Sequence, residues 1–172
     1  MNAFILVIPL FFIRFGLLGM INKSALSRAA FFAPLEGRER VAYFFYQVSN
    51  VFICLYPLFL KVQIKPPKFF IGLFIYILGI AILIISTIAF AKPNQSGLNV
   101  NGIYKISRNP MYIGYFMYFL GCVVLTNSML LLIALLIFQI SAHWIILSEE
   151  RWCIRQFGSK YVSYMNRVRR YF

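Results

Sequence analysis

The chain has 172 residues, of which 62% are hydrophobic and 12% charged, with a mean hydropathy of +0.80. A soluble domain is nearer half apolar and a quarter charged, so a water-soluble globular domain and a disordered chain are both excluded, and an all-α integral membrane protein remains. The net charge of +13 arises from 17 Lys and Arg against 4 acidic residues; because the cations flank apolar runs, they read as topology signals and contacts with anionic membrane lipids, not as a nucleic-acid surface.

A spanning helix needs about 20 mostly apolar residues. Ala3–Ile21 is the first candidate, interrupted by Arg14 and without the basic start and small-residue cleavage site of a leader peptide. Residues 41–60 form the second, softened by Gln47, Ser49 and Asn50, and residues 69–91 the third and most apolar. Residues 111–125 are a short fourth and residues 129–147 a fifth. Only Thr126, Asn127 and Ser128 join these last two, which predicts a tight helical hairpin. Five spans in a single membrane domain, residues 1–172, are the expectation. Gly158 is placed to end the helix that carries Glu149 and Glu150. Beyond it Tyr161, Tyr164 and Val168 recur on one face among basic residues, which predicts a short amphipathic helix on the membrane surface.

Charge then sets the orientation. Lys23, Arg28, Arg38 and Arg40 follow the first span; Lys92, Lys105 and Arg108 follow the third; Arg151, Arg155, Lys160, Arg167, Arg169 and Arg170 follow the fifth. The opposite face carries only Lys61, Lys65 and Lys68. The positive-inside rule therefore puts the N-terminus outside and the C-terminus in the cytoplasm. All four acids, Glu36, Glu39, Glu149 and Glu150, fall on the cytoplasmic side, so any chemistry is expected there.

Two features suggest a site. Arg108, Asn109 and Pro110 read as a capped start of the fourth span, where free N–H groups, the helix dipole and a guanidinium favour an anion. Glu149 and Glu150 are unusual in a chain so poor in acids, and they sit where a helix C-terminus would oppose them. One of them is free to face a cationic ligand while the other pairs with Arg108, Arg151 or Arg155. Arg14 is costly in a span unless it faces a polar interior, with Gln47 and Asn50 as candidate partners, and His143 reads as a packing residue. No Gly-x-Gly, phosphate-binding loop, zinc-protease motif or nucleophile elbow occurs. The three cysteines form no CxxC or Cys/His cluster and Asp is absent, so no metal is expected.

Residues 102–114 (GIYKISRNPMYIG), the hairpin, Glu149 with Glu150, Phe157 with Gly158, then Tyr161, Tyr164, Val168 and Arg169 follow one another in an ordered set. That set resembles the isoprenylcysteine carboxyl methyltransferase family of integral-membrane methyltransferases, to which phospholipid methyltransferases are related. The resemblance implies S-adenosylmethionine as methyl donor, held at the cytoplasmic interface by a region spanning residues 101–170. The matched positions are Tyr104, Arg108, Asn109, Pro110, Tyr112, Glu149 and Glu150, with Asn109 where the family often has His. It implies O-methylation of an isoprenylcysteine-like or other lipophilic carboxylate entering from the bilayer. Such an acceptor is already ionised and needs no base; Arg151 and Arg155, one helical turn apart, are candidates to orient it. A lipid amine is the second acceptor class, set behind the first because the Gly-x-Gly element of phospholipid methyltransferases is missing. A small transporter or membrane assembly subunit is a third reading, weakened by the scarcity of polar residues within the spans.

Overall fold

The computed structural model describes residues 1–95 and 97–171. The chain is 76% helix, with no strand among the described residues. In chain order the helices are α1 (Ala3–Ile21), α2 (Lys23–Ala30), α3 (Glu39–Leu55), α4 (Lys68–Ala91), α5 (Pro110–Thr126), α6 (Met129–Phe157) and α7 (Ser159–Arg167). α1, α3 with its 3-10 extension to Phe59, α4 and α6 are each long and apolar enough to cross a membrane; α5, at 17 residues, is the shorter apolar helix. The five expected spans thus become four full-length ones and a fifth at the lower limit of spanning length. Large apolar side chains such as Phe44, Phe70, Phe74 and Ile140 point outward, as a lipid-facing surface requires.

α1 is irregular for reasons that its sequence supplies. Pro9 lacks an N–H, and the N–H of Leu10 bonds to Val7 O at 3.1 Å instead of reaching back a full turn. The carbonyl of Leu6 is satisfied from outside the helix, by the hydroxyl of Tyr76 at 2.8 Å and by that of Tyr118. In lipid, where water cannot serve, such a carbonyl needs a protein donor. A π-helical stretch over Phe12–Leu17 follows, with the N–H of Leu18 donating to Ile13 O, and Arg14 lies inside it.

α4 and α5 pack antiparallel at close range. Gly72 lies against Leu125, Gly79 against Tyr118, Leu83 against Gly114 and Tyr76 against Gly121. A Cβ at Gly121 would fall 2.6 Å from Tyr76 Cα, and one at Gly79 would overlap the backbone nitrogen of Tyr118. Glycines seven residues apart on both helices let the backbones meet, the usual means of association where water drives nothing. The connection from α5 to α6 is as short as expected: Asn127 is left-handed (φ 50°) and the Ser128 hydroxyl caps α6 by accepting from Leu131 N at 3.3 Å. The arms of this hairpin nevertheless part. α5 lies along α4, drawn by the glycine stripe, while α6 lies along α3.

One end of the bundle joins the N-terminus to the two short connections, with Ala3 N bonded to Leu60 O (2.9 Å) and Gln63 N to Leu125 O (2.8 Å). The other end gathers the three basic segments. Asn22 donates to Ala91 O (3.0 Å) and Arg28 to Phe90 O (3.1 Å), and Arg28 also stacks over the Phe90 ring. α6 runs 29 residues without interruption and stops at Gly158, whose φ of 55° and ψ of −133° suit glycine alone. Its length, about 44 Å at 1.5 Å per residue, exceeds the hydrocarbon thickness, so its last turns extend into this end. Glu149 and Glu150 therefore lie two turns inside the helix rather than at its terminus. The dipole penalty expected for them does not arise, because it fades beyond the last turn, where Arg155 sits favourably instead. α7 forms as expected from Ser159 to Arg167, with Val168 just beyond it. Its tyrosine face is covered by the chain itself: Tyr161 and Tyr164 are buried against Leu98, Val100, Cys153 and Phe157.

Candidate active site

The segment that opens α5 is clamped by the C-terminal tail. Arg108 N donates to Arg169 O (3.0 Å), Ser107 Oγ to Arg170 O (3.2 Å) and Asn109 Nδ2 to the same carbonyl (3.1 Å). Asn109 occupies the N-cap position but makes no side-chain cap; its amide is turned to the tail, and its carbonyl accepts from Tyr112 N and Ile113 N. Pro110 holds the first helical position, where its missing N–H costs nothing.

The two neighbouring glutamates face different partners. Glu150 is buried and held on both sides. Arg108 donates to it from Nε (3.1 Å) and Nη2 (2.8 Å), and Arg170 from Nη2 (2.7 Å) and Nε (3.1 Å). The remaining terminal nitrogen of Arg108 bonds to Met165 O and Val168 O, both at 3.0 Å. The Arg108 and Glu150 side chains are only 8% and 7% exposed, so this is an interior ion cluster whose donors are largely spent. Glu149, about 100° around the helix, is partly buried and accepts from the Tyr112 hydroxyl at 3.2 Å. Glu36, Glu39 and Glu150 are all ion-paired with arginine; among the described residues Glu149 has no ion pair.

Tyr104 is buried in the 3-10 turn Gly102–Lys105 and its carbonyl accepts from Tyr164 at 2.6 Å. Burial pushes the Tyr164 phenol up to about 12, so it stays a donor at neutral pH. Arg151 makes two bonds to Glu39 (2.6 and 2.8 Å) and one to Pro34 O (3.4 Å), and Arg155 pairs with Glu36 at 3.0 Å. Both arginines thus fasten the segment before α3 to the end of α6, where the Phe31 ring also meets Trp152 at 5.2 Å. His143 Nδ1 lies 3.0 Å from the Tyr171 hydroxyl. Gln47 donates to Tyr43 and Asn50 accepts from Cys54, so neither serves Arg14, whose guanidinium bonds instead to Ala29 O.

Glu149 with Tyr112 is therefore the open part of the site, and Arg108, Asn109, Pro110 and Glu150 form the frame behind it. Sequence reasoning missed Arg170, Tyr171, Glu36 and Glu39 as partners. The scarcity of acids was the available signal, since each buried carboxylate needs a cation.

The sequence profile of the phospholipid methyltransferase family matches residues 68–160, from the start of α4 to the start of α7. That is more than half of the chain. The chain belongs to the phospholipid methyltransferase family. This family is related to the isoprenylcysteine carboxyl methyltransferases that the motifs resemble, and the missing Gly-x-Gly does not prevent the match. Membership makes the chain a membrane methyltransferase, of a group that generally uses S-adenosylmethionine. No curated protein and no solved structure matches it significantly.

Such a donor carries an ammonium, a carboxylate, a sulfonium and an adenine. The residues present fit it: Glu149 is a carboxylate without an ion pair, and Tyr112 and Tyr115 offer aromatic faces for a sulfonium.

Proposed function

We propose that this chain transfers a methyl group from S-adenosylmethionine to a lipophilic acceptor that reaches the site from the bilayer, at a basic end facing the cytoplasm. The observation that carries the reading is Glu149, a partly buried carboxylate held by one phenol within a methyltransferase fold. Bound there, the donor supplies an electrophilic methyl on sulfur. Glu149 takes its ammonium or ribose hydroxyls, and Tyr112 fixes the carboxylate's orientation. The Arg108–Glu150–Arg170 cluster keeps Tyr112 and Glu149 in register by tying α5, α6 and the tail together. Methyl transfer demands alignment of nucleophile, methyl and sulfur, so rigid positioning supplies much of the rate.

The first acceptor is an isoprenylcysteine-like carboxylate, which attacks without a base. With Arg151 and Arg155 already matched by Glu39 and Glu36, they serve it by holding the segment before α3 in place. A phospholipid amine is the second acceptor, favoured by the name of the matching family. An amine must lose a proton, and Glu149 or His143 is the candidate base.

Calorimetric titration of the detergent-solubilised protein with S-adenosylhomocysteine should give saturable binding that Glu149→Gln weakens at least tenfold, a loss of about 1.4 kcal/mol. A folded wild type that binds nothing would overturn the reading. Labelled S-adenosylmethionine, offered with a farnesylcysteine or with phosphatidylethanolamine, then separates the two acceptors by which product carries the label.

A further inference from the structure

Arg14 lies in α1, outside the residues that the family profile covers. A guanidinium within a span is retained only where it meets a polar interior. The π-helical stretch Phe12–Leu17 surrounds it, a distortion that often re-aims a side chain at a functional site. One of its five N–H donors is committed to Ala29 O, which anchors the side chain at the base of α2. No carboxylate lies within ion-pair distance of it among the described residues. The Tyr115 phenol sits beside it, and Glu149 and the phenols of Tyr46 and Tyr104 are near enough to interact with its charge.

Arg14 and Glu149 thus lie close enough to interact electrostatically and yet form no ion pair. Opposite charges in a low-dielectric setting attract strongly and pair when nothing else claims them. A cation and an anion that stay unpaired near each other suit a ligand that presents both opposite charges, as an α-amino acid does. Arg108, the cation that the sequence motif offers for a carboxylate, is spent on Glu150, Met165 O and Val168 O.

We infer that Arg14 binds the α-carboxylate of the methyl donor, opposite Glu149, which takes its ammonium. This rests on the cofactor reading above and adds to it a residue from the first span. The N-terminal third of the chain then completes the donor site rather than merely packing against it.

The test is a comparison of two ligands on wild type and Arg14→Gln, each shown to be folded by its thermal transition in detergent. S-adenosylhomocysteine carries the amino-acid end; 5′-methylthioadenosine lacks it. Arg14→Gln should lower the affinity for the first at least tenfold, as the loss of a charge-assisted contact does, and leave the second within about twofold. Equal effects on both ligands, or none on either, overturn the assignment while leaving the cofactor reading intact. So does unchanged S-adenosylhomocysteine binding with a raised KM for the acceptor, which would give Arg14 to the acceptor. If wild type binds neither ligand, the cofactor reading itself fails, and this inference with it. Should Arg14→Gln not fold, Arg14→Lys keeps the charge and loses the planar fork. It should weaken the first ligand several-fold and spare the second, and any other pattern counts against the assignment.

Discussion

Glu150 accepts from two guanidinium groups in a buried setting, whereas Glu149, one residue earlier, accepts from a single phenol. Removing the charge at these neighbours should therefore have opposite consequences. Glu150→Gln leaves Arg108 and Arg170 facing each other without a counter-charge, a loss of about 3 kcal/mol or more for a buried cluster. It should appear as a lowered thermal midpoint in detergent. Glu149→Gln keeps the hydrogen bond from Tyr112 and breaks no ion pair. Its midpoint should stay within the change typical of a benign substitution, about 0.5 kcal/mol, while S-adenosylhomocysteine binding weakens at least tenfold. The pair was legible in the sequence as an anomaly, and so was the division of labour between them. Which glutamate took which task was not, because Arg170 lies 20 residues further on and reaches Glu150 only after α7 has folded back.

The spacing of apolar runs located the membrane-spanning helices, since in lipid the backbone has few other ways to satisfy itself, but it gave no sign of α2, whose residues 23–30 carry no such run. What the runs did not disclose is which helix lies against which. Sequence adjacency and a three-residue connection made α5 and α6 look like partners, yet the glycines at 72, 79, 114 and 121 tie α5 to α4. Gly79→Ala is the direct check. Its methyl group would enter the Tyr118 backbone and force the helices apart, costing about 1–3 kcal/mol as overpacking does. A midpoint unchanged from wild type would mean that the two helices are less tightly joined than the packing requires. Periodicity also foresaw α7 and its tyrosine face. It did not foresee that Leu98 and Val100 cover that face, because loops carry no periodic signal.

Across the whole molecule the ties run between distant parts of the chain. Arg151 and Arg155 fasten the segment before α3 to the end of α6, over more than a hundred residues of sequence. Arg151→Ala should free that segment, read as faster hydrogen exchange over residues 31–38, with S-adenosylhomocysteine binding retained. If binding falls instead, Arg151 has a more direct part in the site than its pairing with Glu39 indicates. Charge counting grouped the basic segments at one end of the bundle, and the contacts among them agree, with Asn22 on Ala91, Arg108 on Glu150 and Arg151 on Glu39.

The two tyrosines that serve the Leu6 carbonyl stand on α4 and α5, inside the stretch that the family profile recognises, while their acceptor stands outside it. Glu150 is in the same position, inside the stretch with Arg170 beyond its far border. A chain trimmed to residues 68–160 would keep the 102–114 segment, the hairpin and both glutamates. It would also strand two phenols in hydrocarbon and leave a buried carboxylate half-compensated. The smallest unit able to fold is therefore wider than the stretch by which kinship is detected, and the flanks are as much a part of the enzyme as the signature they enclose.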